Sequence, residues 1–240
     1  MKASKSLFLK LFLLIGLFHS SCQRPITGEG ELIKESRNIK SFNNLILNIP
    51  AHVSIVVTDS NSLTLVAQEN IVENIDIKRK NDRLIIQSDR ILKSDKPIEI
   101  LITCTSLKGI ELNGSGNIVI INKYSTPKAN FVINGSGKIQ THLNANEIKS
   151  KINGSGEMDF SGAVKKLKIE INGSGDINAQ ELFASLCDID INGSGKAYLT
   201  VKDKLEISIV GSGDVIYAGD PIIKSSVTGK GKINSINEKK

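Results

Sequence analysis

Paired carboxylates are the first groups in this 240-residue sequence that could do chemistry. Glu157 and Asp159 are two residues apart, as are Asp188 and Asp190. On a strand, each pair would share one face, and same-face carboxylates can divide the acid and base roles needed at a glycosidic bond. Outward charges on a solvated strand are the more ordinary outcome. After the N-terminal leader, histidine is limited to His52 and His142, too few and too separated for a metal cluster or a triad; His142 reads as an outward polar residue. Cys104 and Cys187 fall in phase with inward apolar residues. About four coils of the architecture derived below would separate them by roughly 19 Å, beyond disulfide reach, so they are expected as buried free thiols. No catalytic residue, cofactor or metal site is assigned.

A tetrapeptide decides what must position these groups. Asn-Gly-Ser-Gly begins at Asn113, Asn134, Asn153, Asn172 and Asn192, followed by Val-Gly-Ser-Gly at Val210 and Thr-Gly-Lys-Gly at Thr228. The starts are spaced 21, 19, 19, 20, 18 and 18 residues apart. Apolar residues alternate with polar ones on both sides, as in Leu167, Ile169 and Ile171 before a corner and Ile177 after it. Strand, tight corner, strand, repeated at a fixed phase, describes one coil per repeat. The fold class is therefore all-β, a parallel β-helix (β-solenoid) of about 18–21 residues per coil, expected to be right-handed. A meander of hairpins is the alternative, since two strands flanking Asn-Gly also signal a hairpin.

The structural corners are Gly114 and Gly116, Gly135 and Gly137, Gly154 and Gly156, Gly173 and Gly175, Gly193 and Gly195, Gly211 and Gly213, and Gly229 and Gly231. A four-residue corner needs the positive φ that glycine supplies. Stacking places Asn113, Asn134, Asn153, Asn172 and Asn192 over one another, where their amides can form a ladder along the axis. That ladder should end at Val210 and Thr228. The residue following each corner runs Asn117, Lys138, Glu157, Asp176, Lys196, Asp214, Lys232, and from Asp176 onward the signs alternate. Neighbouring coils should form opposite-charge pairs there. Asn-Gly-Ser also fits a glycosylation sequon, but the turn role suffices. A calcium repeat would need an acid at a fixed place in each turn, which the lysines contradict. Corner amides can bind anions, yet no arginine follows Arg90.

Residues 36–112 lack GSG corners. Strand-like runs at 45–49, 53–57, 63–66, 75–77, 84–86 and 98–104 predict less regular coils, or a small β-region covering the first coil of the 113–236 solenoid. Residues 1–21 read as a signal peptide: Lys2 and Lys5 precede the apolar run from Leu7 to Phe18. Ser20-Ser21-Cys22 resembles a bacterial lipobox, with Cys22 as the lipidation site, residues 22–35 as anchor and tether, and 237–240 as a tail. Loss of Lys2, Lys5 and Lys10 with the leader lowers the formal charge from +6 to +3, which does not argue for nucleic acid.

The Phe42-Asn43-Asn44-Leu45 opening and the serial strand-GSG-strand units resemble the auto-transporter adhesin, head GIN domain family over roughly residues 40–235. The opening departs from the family at Pro50-Ala51-His52. The resemblance implies a β-helix and an adhesin label. The expected function is thus a non-enzymatic cell-envelope lipoprotein, adhesin-like or scaffold, held to the membrane by its lipid and binding a protein or glycan through repetitive faces. A carbohydrate-active β-helix is the alternative. A pocket joining carboxylates from different coils would favour the enzyme; flat Lys/Asp/Asn faces would favour display. Ice or mineral binding is a distant third, because no threonine ladder recurs. Gln23-Arg24-Pro25-Ile26 lacks an acidic cluster, which favours the periplasmic side of the outer membrane over the surface.

Overall fold

The computed structural model describes residues 24–236. The leader, Cys22 and the tail lie outside the described residues. Before the first GSG corner the chain forms β1 (Ile26–Thr27), β2 (Leu32–Arg37), β3 (Asn44–Leu47), β4 (His52–Val57), β5 (Ser62–Gln68), the single helical turn α1 (Glu69–Val72), β6 (Asp76–Lys80), β7 (Arg83–Gln87), β8 (Leu92–Lys93) and β9 (Glu99–Cys104). The repeats follow as β10 (Gly109–Gly114), β11 (Asn117–Ile120), β12 (Tyr124–Gly135), β13 (Lys138–Gly154), β14 (Glu157–Gly173), β15 (Asp176–Gly193), β16 (Lys196–Gly211), β17 (Asp214–Ala218), β18 (Ile222–Gly229) and β19 (Lys232–Ser235).

Alternation sets these strands. Leu167, Ile169 and Ile171 are buried while Lys168 and Glu170 are half-buried on the other face, a pleat that suits β-branched residues. Each repeat strand pairs in parallel with its counterpart one coil away, Asn134 with Asn153 and Asn153 with Asn172. The chain is a β-solenoid. Its interior is filled by stacked columns such as Leu112, Ile133, Ile152, Ile171, Ile191 and Ile209.

The corner glycines are set by close approach. At Gly154, φ is +133°, and an added Cβ would lie 2.4 Å from the Gly135 carbonyl oxygen one coil below. The five corner asparagines donate Nδ2–H down the axis to the Oδ1 of the previous rung, over 2.7 to 3.2 Å. The ladder starts one rung earlier than the GSG corners do: Asn113 donates to Asn48 Oδ1 at 2.7 Å. Asn48-Ile49-Pro50-Ala51 is thus a corner in disguise. Asn117 N–H bonds to the Ala51 carbonyl (2.9 Å) just as Lys138 N–H bonds to that of Gly116 (3.0 Å).

In residues 36–112 parallel coils and an antiparallel cover are interleaved. β3 and β4 stack in parallel beneath β10 and β11, and β7 and β9 stack in parallel beneath β3 and β4. The coil built first in the chain therefore lies between layers built later. Below it, antiparallel strands close the end: β6 on β7, β5 on β9, and β2 on β5.

Two expectations need correction. Residues 22–35 are not a tether throughout, since β1 pairs with β8 and β2 begins at Leu32; polar-looking Leu32-Ile33-Lys34-Glu35 alternates, and its partner β5 supplies the apolar face. Cys104 and Cys187 are free and buried, but more layers separate them than chain order implied, because β9 lies beneath β4. At the opposite end β18 is exposed along its whole length, with Ile222 77% exposed.

Candidate functional site: a groove framed by long coils

The outer face of the strands that follow the corners carries the main departure from a regular rod. Val119, Gln140, Asp159 and Asn178 stand in one outward column across four coils. His142, Ser161 and Glu181 form the next, with Ile121 beside them. Together they line a depression of about 480 Å³. A second depression of about 520 Å³, lined by His52, Ser54, Glu99 and Leu101, adjoins it across Ile121, which is 59% exposed.

Coil length explains the relief. The coils between Asn134 and Asn172 are 19 residues each, and they supply the floor. The preceding coil has 21 residues and places Ile121-Asn122-Lys123 beyond the end of β11; the following coil has 20. Its extra residue is a β-bulge: Asp159 pairs with Asn178, but Ser161 pairs with Glu181. Gln180, Glu181 and Phe183 are pushed outward there. The groove is two short coils flanked by two long ones.

Charge at the groove margin is locked. Lys138 donates to Asp159 at 2.7 Å and to Glu157 at 2.8 Å. Its bonds to Asp159 and then Glu157 raise the ammonium pKa above the ordinary lysine value. The carboxylates Glu157 and Asp159, expected as a same-face pair, therefore share one lysine. The alternating column beyond them differs from expectation. Asp176 Oδ1 accepts the backbone N–H of Lys196 at 2.9 Å, and Asp214 Oδ1 that of Lys232 at 3.2 Å. An aspartate is short enough for its oxygen to reach the next backbone N–H, so the expected lysine side-chain pairs do not form there among the described residues. Asp188 and Asp190 lie further along β15, beyond the bulge and remote in register from the groove.

Sequence reasoning placed His142 outward, and it is exposed on the groove floor. It missed Gln140, Asn178, Glu181 and Ile121. The signal for them was the 21-19-19-20 spacing, which reads as noise in a repeat until stacking turns each extra residue into a raised edge. Asp159 and Glu181 also meet in this groove from different coils, the arrangement expected of an enzyme rather than a flat display face. The corner asparagines and glycines form the ladder and turns and do not line it.

The family model described as "Putative auto-transporter adhesin, head GIN domain" matches residues 41–221. The chain belongs to this family. Solved structures agree in fold: a putative adhesin from Bacteroides fragilis is 24% identical, with TM-score 0.81, over 88% of this chain and all of the other. A putative adhesin from Parabacteroides distasonis is 20% identical, with TM-score 0.73, over 89% and 100%. A structure from the same species titled as a putative lipid binding protein is also 20% identical, with TM-score 0.78, over 89% and 100%. At these identities the likeness is one of fold. No curated protein matches the chain.

Proposed function

We propose that this family member is a non-enzymatic, adhesin-like module of the cell envelope that holds a partner in the groove between Ile121 and the Gln180–Glu181 bulge. The carrying observation is that the coil lengths build a groove into an otherwise regular rod. The outward side chains that line the groove are mainly polar and hydrogen-bonding, among them Gln140, His142, Asn178 and Glu181. Lipidation at Cys22 would hold the chain in the outer membrane, facing the periplasm. Labelled full-length Cys22→Ala protein should bind isolated bacterial envelopes saturably, and His142→Ala/Glu181→Ala should weaken that binding. Equal binding by both proteins would refute the groove. Fractionation of cells carrying Cys22 or Cys22→Ala tests the anchor, and protease treatment of intact cells tests its side.

Carbohydrate cleavage is a second reading, favoured by one observation: Asp159 and Glu181 approach the same groove from adjacent coils. Against it, Asp159 is already engaged by Lys138. Release of reducing ends from polysaccharide, abolished by Glu181→Gln, would establish the enzyme instead.

A further inference from the structure

We infer that the groove binds a single chain of a neutral polysaccharide lying along the strand direction; this rests on the display reading and names its partner class. Width is the first argument. From the Ile121 ridge to the Glu181 bulge is three coil steps, roughly 14 Å at strand spacing. That admits one extended polymer chain.

The side chains are the second argument. Gln140, His142, Asp159, Asn178 and Glu181 each present a planar group with two polar atoms. Such groups suit the paired hydroxyls of a sugar, which both donate and accept. Val119 and the exposed Ile121 add aliphatic surface for the C–H faces of the rings.

The third argument separates a glycan from an extended peptide. A peptide gains most from adding a strand to a sheet edge. In the floor of this groove the backbone of Gln140, Asp159 and Ser161 already pairs with coils on both sides. Recognition over these residues therefore falls to side chains. Charge points the same way: the floor holds Asp159 and Glu181, and Lys138 at its margin is committed to Asp159 and Glu157. A polyanion would meet like charge.

The test is electrophoresis of the Cys22→Ala full chain through gels containing dextran, laminarin, mannan or xylan, with polygalacturonate as the acidic control. At least one neutral polymer should retard the chain. His142→Ala/Glu181→Ala should need at least about tenfold more polymer for the same retardation, consistent with loss of two exposed hydrogen-bonding groups. Glu206→Ala, on β16 and outside the groove lining, should behave as the parent. All variants should keep the parent circular dichroism spectrum and Tm. Retardation by none of the four polymers, by polygalacturonate alone, or equally in the double variant overturns the assignment. If the double variant loses envelope binding while no neutral polymer retards the parent, the groove remains a contact site and its partner is not a neutral glycan; a tryptic peptide mixture competing for that binding would identify a peptide. If envelope binding is unchanged in the double variant, the display reading falls too.

Discussion

At the scale of residues, the asparagine ladder is the clearest case of one side chain repeated for a cumulative purpose. Each rung from Asn113 to Asn172 donates below and accepts from above, with Asn48 accepting at one end and Asn192 donating at the other. Replacing Asn134 by valine strands two partners, Asn113 Oδ1 and Asn153 Nδ2. Replacing Asn192 strands only Asn172 Oδ1, since Val210 stands above. Urea denaturation should show Asn134→Val costing about 1–3 kcal/mol and Asn192→Val less; equal losses would mean the rungs act independently. Gly154→Ala should cost more than about 2 kcal/mol, because it combines left-handed strain with overlap on the Gly135 carbonyl. The buried thiols make a prediction with a sign. Burial pushes Cys104 up to about 11 from an ordinary 9.0. The unfolded thiol ionises first, so this contribution to stability is intact below pH 9 and is lost as pH rises towards 11. Thiol reagents should label Cys104 and Cys187 at pH 8 only after denaturant is added.

At the scale of elements, legibility follows the source of the signal. The strands and corners from Asn113 onward were readable because alternation identifies a strand and an identical tetrapeptide identifies its register. The runs 45–49, 53–57 and 63–66 were readable as strands for the same reason. Their partners were not: periodicity cannot tell β4, which stacks in parallel, from β5, which runs antiparallel, since both bury alternate residues. Asn48-Ile49-Pro50-Ala51 escaped notice because the buried aliphatic Ile49 and Ala51 replace the glycines and Pro50 replaces the serine. Only the asparagine, following Leu45-Ile46-Leu47, kept its place. The groove was hidden for a different reason, as the spacing was visible but its effect appears only when coils of unequal length are stacked. Register predicts the response to deletions. Removing one whole coil, Gly211 to Thr228, should leave the spectrum and the groove intact and lower Tm modestly, because repeat stability is nearly a sum of neighbouring terms. Removing Ile189 alone should be far worse, since a one-residue slip turns the following inward column outward.

At the scale of the whole molecule, the two ends are built differently. The closed end is sealed by antiparallel strands whose outermost members, β2 and β6, carry Lys34, Glu35, Lys78, Arg79 and Lys80, charges that blunt a sheet edge. It is also where the chain enters, through β1 and β8. The closed end further requires β3 and β4 to wait for β7, β9 and β10 before either side is paired, so its assembly involves the longest loop closures in the fold. The repeats add one neighbour at a time. Folding should therefore be limited by the closed end, and Leu65→Ala should slow refolding more than Leu205→Ala in stopped-flow measurements.

The exposed β18 gives the molecule a direction of erosion. Proteolytic attack should begin there and advance in steps of one coil, each trimming about 4.8 Å of height. Residues 214–235 contribute nothing to the groove, so they serve as expendable length in front of the working part. Limited proteolysis followed by mass spectrometry should yield a nested series ending near Gly229 and Gly211 that still enters the polysaccharide gels as the intact chain does. A rod built this way does not fail when clipped; it grows shorter.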